Sequence, residues 1–172
     1  MDRELYLPKS WTDDRARCQA ARVPDERTFA TKGDLARDII RRVLASPLPI
    51  AWGTADSAYG RDSHFRRFLE DHGLSYVVSV PKSQPVHGPR IDHLPAQAPP
   101  ETWQRLSAGP GAKGERFYDW ATARLPAVRE FDGDEPTRQR RMLARRSISK
   151  PDEIAYYLAC VPLRNTEVRL EY

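Results

Sequence analysis

The stretch PIAWGTADSAYG, residues 49–60, decides how the rest of the sequence is interpreted. Ile50, Ala51 and Trp52 predict a short buried strand, and Asp56 follows it a few residues later. In open α/β sheets, functional groups collect at the carboxyl ends of the strands. A carboxylate at that position can hold a hard divalent cation beside a phosphate group. The alternative interpretation is that Asp56 only caps the next helix or orders a turn.

Strand and helix patterns alternate on both sides of this stretch. Residues 2–7 alternate charged and apolar side chains and predict a strand, and residues 75–80 predict another. Residues 31–45 predict a capped helix with one apolar face, and residues 62–72 predict a second helix. This alternation is typical of an α/β fold in which helices cover a parallel or mixed sheet.

The composition changes in the second half of the chain. Prolines and glycines are frequent over residues 81–114, which predicts a long loop or the start of an insertion. Extended patterns return at residues 117–121 and 140–148, with a turn predicted at residues 132–133 between them. We therefore expect a loop and a β-rich insertion over residues 82–150.

Basic residues give the chain a net charge of +4 and a pI near 9.2. Most of the excess is arginine, whose planar fork matches phosphate, so an anionic partner is favoured, with nucleic acid first. The alternative is a basic protein with no polyanionic partner. The densest patch, which we predict to contact DNA, comprises Arg138, Arg140, Arg141, Arg145 and Arg146.

On a strand, this patch would divide between two faces. Arg141 and Arg145 would share one face, and Arg140 and Arg146 the other. Such a patch suits backbone phosphates, which carry no sequence information. The alternative is a solvated edge strand, on which charge prevents association between sheets.

The cysteines and the hydropathy of the chain indicate the cellular compartment in which it is expected. Cys18 and Cys160 form no CxxC pair, so they indicate neither a disulfide framework nor a zinc site, and we expect both to be reduced. No apolar run approaches the roughly 18 residues of a membrane span. The N-terminal residues do not resemble a signal peptide. These features predict a cytoplasmic, nucleoid-associated protein without a membrane partner.

Short motifs along the chain occur in the order in which one known family carries them. By these motifs the chain resembles the DDE transposases of bacterial insertion sequences, and the likeness extends to about Pro162. The motifs are DRELYLP (2–8), WT (11–12), FATK (29–32), TAD with YG (54–56 and 59–60), VPKS (80–83), RLSAG with GAKG (105–109 and 111–114), YDWA (118–121), RRSI (145–148) and AYYL (155–158).

The resemblance implies a fold, a reaction and partners. The family has a ribonuclease H-like catalytic core in which two Asp and one Glu bind two Mg²⁺ ions. Asp56 matches the second Asp, so the resemblance makes it a catalytic residue and a metal ligand. The implied reaction is DNA transposition, by metal-dependent phosphodiester hydrolysis followed by strand transfer. The implied partners are DNA and a second transposase subunit in a homodimer.

Two departures from the family shape the expectation for this chain. The family's first Asp lies upstream of the DRELYLP motif, and its Glu lies on a helix beyond the YYL strand. Here the tail after Pro162 does not resemble the family, so Glu167 and Glu171 receive no role. We therefore expect a transposase fragment that is inactive alone. The alternatives are a non-catalytic DNA-binding or dimer-interfering remnant, and a poorly folded product without function.

The predicted fold class is α/β: a partial ribonuclease H-like mixed sheet with flanking helices and a β-rich insertion. Residues 1–81 would form part of the core and residues 82–150 the loop and insertion. Residues 151–172 would supply a return strand, at residues 154–161, and an atypical tail.

Overall fold

The computed structural model describes residues 2–112, 114–127 and 137–163. It divides the chain into two compact units, residues 1–50 and residues 51–172. The turn predicted at residues 132–133 and the acids of the tail lie outside the described residues. The three-part division made from the sequence stays a prediction.

The first unit contains three helices: α1 (Lys9–Thr12), α2 (Arg15–Ala20) and α3 (Lys32–Leu44). Helix α3 confirms the helix predicted over residues 31–45. Its start is fixed by a capping box, because Thr31 Oγ1 accepts a hydrogen bond from the Asp34 N–H and Asp34 Oδ2 accepts one from the Thr31 N–H, each at 3.1 Å.

The strand predicted over residues 2–7 is wrong, because these residues form no strand. Alternating charged and apolar residues can favour a strand, but the strand also needs a neighbour for its backbone hydrogen bonds. Here the acidic side chains bind arginines of the same unit instead. Glu4 lies 2.8 Å from Arg27 and 2.9 Å from Arg42, and Asp2 lies 2.9 Å from Arg42.

The second unit is built on a six-stranded sheet in the order β1-β2-β6-β5-β4-β3. Strands β1 and β2 are parallel, and all other neighbours are antiparallel. This mixed sheet confirms the predicted fold class and is compatible with a partial ribonuclease H-like fold. The strands are β1 (Trp52–Ala55), β2 (Ser75–Val80), β3 (Gln104–Gly111), β4 (Gly114–Arg124), β5 (Arg138–Ser147) and β6 (Ile154–Pro162).

Most strand predictions hold, with two differences. Strand β1 begins at Trp52 rather than at residue 50, and Trp52 is 56% exposed rather than buried. Trp52 and Thr54 are exposed and alternate with the half-buried Gly53 and Ala55, so the exposure belongs to one face of β1. The region over residues 81–114, predicted as a long loop or the start of an insertion, contains β3 near its end. Strands β2, β4, β5 and β6 lie where extended patterns were predicted.

The helices in the described part of this unit are α4 (Ser57–Gly60), α5 (Ser63–Asp71) and α6 (His93–Ala96), with a 3-10 turn at Pro100–Thr102. Helix α5 confirms the helix predicted over residues 62–72. It buries Phe65, Phe68 and Leu69, beside a core that β2, β5 and β6 complete. That core comprises Tyr76, Val78, Val80, Met142, Ala144, Leu158 and Cys160.

Close packing holds α4 directly against β2. A Cβ atom at Gly60 would lie 2.0 Å from the Ser79 carbonyl oxygen, a separation that no side chain tolerates. The glycine therefore allows the backbone after Asp56 to pass close to the sheet. Asp56 therefore lies between the end of β1 and a short helix whose Gly60 packs tightly against Ser79 of β2.

Candidate functional site

Asp56 directly follows the last residue of β1, at the carboxyl end of the strand. Its Oδ1 accepts a hydrogen bond of 2.9 Å from the Ala58 N–H, so Asp56 is the N-cap of α4. The capping role considered from the sequence is therefore observed. Asp56 is also exposed, and a carboxylate has about four lone-pair sites, so the cap leaves Oδ2 for a further ligand.

Glu153 and Asp92 are described acids near that edge of the sheet, where Asp92 acts on Tyr156 at the start of β6. Glu153 precedes β6, whose start lies at the same edge as the end of β2, and it is paired with Lys150 at 2.8 Å. Two strand spacings separate β6 from β1, so Glu153 is at least about 10 Å from Asp56. Asp2 and Glu4, in the first unit, are occupied by arginines.

The described ranges contain no group of three or more His, Cys, Asp or Glu that could hold a metal ion. A pair of divalent ions needs several negative ligands, because the two ions repel each other. The described residues therefore fit one position of a two-metal centre, at Asp56, and do not complete the centre.

The predicted basic patch lies on β5 and is divided between the two faces of the sheet. The ten residues of β5 span about 30 Å, and alternate side chains point to opposite faces. Arg138, Arg140 and Arg146 share the face that includes the buried Met142. Arg141 and Arg145 lie on the other face, as the strand pattern predicts.

On the Met142 face, Arg138 and Arg140 are engaged within the protein. Arg138 Nη1 donates to the Leu74 carbonyl oxygen at 3.2 Å. Arg140 Nε donates to Glu70 Oε1 at 3.0 Å, its Nη2 donates to Oε2, and its side chain is only 15% exposed. Both guanidinium groups therefore hold β5 to neighbouring parts of the second unit.

Arg146, near the far end of the same face, joins a second ion-pair cluster. Its Nη2 lies 3.3 Å from Asp119 Oδ2, and its guanidinium stacks 4.1 Å from the centre of the Trp103 ring. Arg105 binds the other oxygen of Asp119 at 3.0 Å. These two arginines lower the pKa of Asp119, with the hydrogen bond from Arg105 as the largest cause.

On the opposite face, aromatic rings surround Arg145. Its guanidinium carbon lies 4.5 Å from the ring centre of Tyr118, 5.9 Å from that of Trp120 and 5.7 Å from that of Tyr157. Cation–π contacts of this kind hold a guanidinium in place without neutralising its charge.

Arg141 lies on the same face, in register with Arg124 of β4. Two like charges placed opposite each other raise the local positive potential. We call this surface the Arg141 face; it is formed by Arg124, Arg141, Arg145, Tyr118, Trp120 and Tyr157. Arg124 and the three rings were not predicted as part of the patch, although Tyr118, Trp120 and Arg124 are spaced to share one face of β4.

Glu70 is a buried acid that the sequence analysis also missed. Its side chain is 6% exposed, and Oε1 accepts a hydrogen bond of 2.8 Å from the Tyr76 hydroxyl as well as the bond from Arg140. Burial alone would raise the pKa of Glu70, but the bonds from Arg140 and Tyr76 outweigh it and hold the pKa below its ordinary value.

No helix among the described residues is long and apolar enough to cross a membrane. A search of curated proteins finds no match. A comparison with protein families matches residues 1–148 to the family described as DDE superfamily endonuclease. Endonucleases of this superfamily act on DNA and use divalent metal ions. The match covers most of the chain, and the chain therefore belongs to the DDE superfamily of endonucleases.

Proposed function

We propose that this chain carries part of the machinery of DNA transposition, which proceeds by metal-dependent phosphodiester hydrolysis and strand transfer. Asp56 is a ligand of the catalytic metal, and the metal is Mg²⁺. The observation that carries this proposal is the exposed Asp56 carboxylate at the end of β1, in a chain that matches DDE endonucleases over residues 1–148. The partner in the reaction is DNA, with a second transposase subunit in a homodimer.

The chemistry of the Asp56 carboxylate supports this role. Hard cations such as Mg²⁺ prefer carboxylate oxygens, and a bound ion supplies Lewis-acid stabilisation and an activated water. The Ala58 N–H holds Oδ1 and thereby fixes the direction of the second oxygen. The described residues supply only this part of the centre. We propose that carboxylates supplied from outside this chain complete it, and that the isolated chain does not cleave DNA.

A cleavage assay tests the proposed function. The isolated chain is compared with a chimera in which it replaces the corresponding segment of an active DDE transposase of known target ends. We expect no Mg²⁺-dependent nicking by the isolated chain and clear nicking by the chimera. Ca²⁺ in place of Mg²⁺ serves as the control, together with the unmodified parent enzyme.

Each part of the assay has a contradicting result. Mg²⁺-dependent nicking by the isolated chain would show that its own residues complete the centre. A folded chimera that binds the element ends but cleaves nothing would contradict the proposed function, since the parent enzyme cleaves under the same conditions.

A second proposed function is non-catalytic DNA binding that interferes with an active transposase dimer. The observation that favours it is the Arg141 face, where Arg124, Arg141 and Arg145 place three positive charges on one side of the sheet. The five arginines of β5 first predicted to bind DNA remain part of this proposal. Those on the Met142 face already have partners within the protein, so we place the main phosphate contacts at Arg141 and Arg145.

Changing Arg141 and Arg145 together to Ala is expected to reduce the salt dependence of DNA binding by about two phosphate contacts. The loss should be similar for unrelated DNA sequences, because phosphate contacts carry no base information. Binding of a labelled duplex at several salt concentrations gives the slope of log K against log [salt].

A variant with Arg3 and Lys9 changed to Ala provides the matched control. It loses the same two charges from exposed positions of the first unit, and its slope should stay close to that of the unchanged chain. An unchanged slope in the Arg141 and Arg145 variant would show that this face is a solvated surface.

A further inference from the structure

The turn that follows β2 lies at the same edge of the sheet as Asp56. Strands β1 and β2 are parallel neighbours, with Ala55 in register with Val78, so both strands end at this edge. Asp56 comes directly after β1, and Pro81 comes directly after β2. Neighbouring strands are about 4.8 Å apart, so the two segments leave the sheet side by side. An extended ligand such as a DNA strand can therefore contact Asp56 and this turn at the same time.

This turn is anchored at its base and exposed at its tip. The Gln84 N–H donates to the Pro81 carbonyl oxygen at 2.9 Å, which closes the turn. Lys82 and Ser83 occupy its two central positions, and both are exposed. Gln84 is buried, and its carbonyl oxygen accepts a hydrogen bond of 2.8 Å from the N–H of Ile91, which is also buried. The protein therefore fixes the place of the turn while its two central side chains face solvent.

Lys82 carries a charge that no described carboxylate balances. Two other cations near this edge are ion-paired, since Lys150 lies 2.8 Å from Glu153 and Arg90 lies 2.6 Å from Asp92. Lys82 forms no ion pair with any residue that the structure describes. Exposed lysines are common in turns, but this one lies beside the carboxylate that we propose as a metal ligand. Its charge is therefore placed to attract the anionic strand that this metal would act on.

The proposed reaction gives a cation at this position a specific task. The phosphate under attack is neutralised where it meets the metal, but the other phosphates of the strand keep their negative charge. A lysine ammonium binds phosphate as a compact point charge, and a serine hydroxyl can add a second donor. Contacts to phosphates that are not cleaved fix the register of the strand, and correct placement of the reacting group lowers the barrier.

We propose that Lys82 binds a backbone phosphate of the DNA strand on which Asp56 acts, next to the phosphate that is cleaved, and thereby positions the strand at the metal. Ser83 donates a second hydrogen bond to the same phosphate. This inference rests on the function proposed for Asp56 and adds a substrate-binding residue to it.

The first test measures binding of a labelled duplex by the full chain in Ca²⁺ at several salt concentrations. We expect Lys82→Gln to lower the slope of log K against log [salt] by about 0.9, the value for one phosphate contact. Lys82→Arg keeps the charge and should keep the slope. Lys150→Gln is the matched control, because it removes the same charge at the same edge from a lysine already paired with Glu153. Its slope should stay close to that of the unchanged chain.

The second test uses the chimera described above in Mg²⁺. Lys82→Gln should raise the KM for DNA by about tenfold, the effect of one charged hydrogen bond, with a smaller change in kcat. Linkages around the cleaved bond are then replaced one at a time by neutral methylphosphonates. We expect one replacement to weaken DNA binding by the unchanged chimera but not by its Lys82→Gln variant, in which that contact is already lost. A lysine that only supports the fold would not single out one linkage.

Three results would overturn this proposal. They are an unchanged salt slope in folded Lys82→Gln, an equal loss of slope in Lys150→Gln, and methylphosphonate effects that are the same with and without Lys82. If Asp56→Asn abolishes cleavage while Lys82→Gln changes neither the slope nor KM, only the role of Lys82 is wrong. If the chimera does not cleave, the function proposed for Asp56 is contradicted, and the salt slope still decides whether Lys82 contacts DNA.

Discussion

Asp56→Asn is expected to abolish DNA cleavage by the chimera described above, a loss of at least about a thousandfold, comparable to removing a main stabiliser of transition-state charge. The substitution keeps an oxygen that can accept the hydrogen bond from the Ala58 N–H, and Asn caps helices as well as Asp. It removes the negative charge that a divalent ion requires. Cleavage of labelled element ends in Mg²⁺ measures the effect, while duplex binding and melting temperature should change little.

Asp62→Asn separates the metal role from the capping role. Asp62 caps α5 with the same geometry, since its Oδ1 accepts a 2.9 Å hydrogen bond from the His64 N–H. This variant should retain cleavage. Equal losses in the two variants would attribute the effect to helix capping. Full cleavage by Asp56→Asn would show that Asp56 is not a metal ligand.

Glu70→Gln is expected to lower the free energy of unfolding of the second unit by about 3–5 kcal/mol. The side chains of Glu70 and Arg140 are 6% and 15% exposed, so the substitution removes from a largely buried guanidinium the charge that Glu70 supplies. The same change disturbs the acceptor of the Tyr76 hydroxyl. Denaturant unfolding followed by a probe in this unit measures the loss.

Glu153→Gln is the matched control for this prediction. It breaks an ion pair with Lys150 in the same unit, but these side chains are 63% and 68% exposed, so the cost should be below about 1 kcal/mol. A loss at Glu70 as small as this would show that water screens the Glu70–Arg140 pair.

The pH dependence of the free energy of unfolding gives a second test of the role of Glu70. Its folded-state pKa lies below the ordinary value, so its stabilising contribution is complete above the ordinary pKa and is lost as the pH falls through the folded pKa. The stability difference between the unchanged chain and Glu70→Gln should therefore be largest near neutral pH and should shrink in acid. A difference that grows in acid would contradict the assigned direction of the shift.

The sequence predicted those elements whose causes are local. Helix α3 has its capping box and α5 has an apolar face with Gly73, at a φ of +75°, after its end, so both were found. The strand prediction for residues 2–7 was wrong because strand formation depends on a neighbouring strand that a local pattern does not specify. The exposure of Trp52 was missed for the same reason, since which face of a strand is covered depends on parts of the chain distant in sequence.

The candidate site likewise contains residues that local sequence predicts and contacts that it does not. Asp56 was recognisable because a strand, an acid and a helix start follow one another in the chain, and the two faces of β5 follow from its alternation. The contact of Glu70 with Tyr76 and Arg140 could not be predicted, because it joins α5, β2 and β5 across the fold. Which arginines remain available to DNA depends on such contacts.

The pairing of β2 with β6 determines when the sheet can be completed during synthesis of the chain. Tyr76 pairs with Cys160, so a central junction of the sheet joins segments from near the two ends of the second unit. During synthesis, β1 and β2 leave the ribosome long before β6, and the free edge of β2 is open to other chains until then. Contacts so distant in sequence also slow folding. The sheet can therefore be completed only after β6 has left the ribosome, and until then β2 presents an unpaired edge.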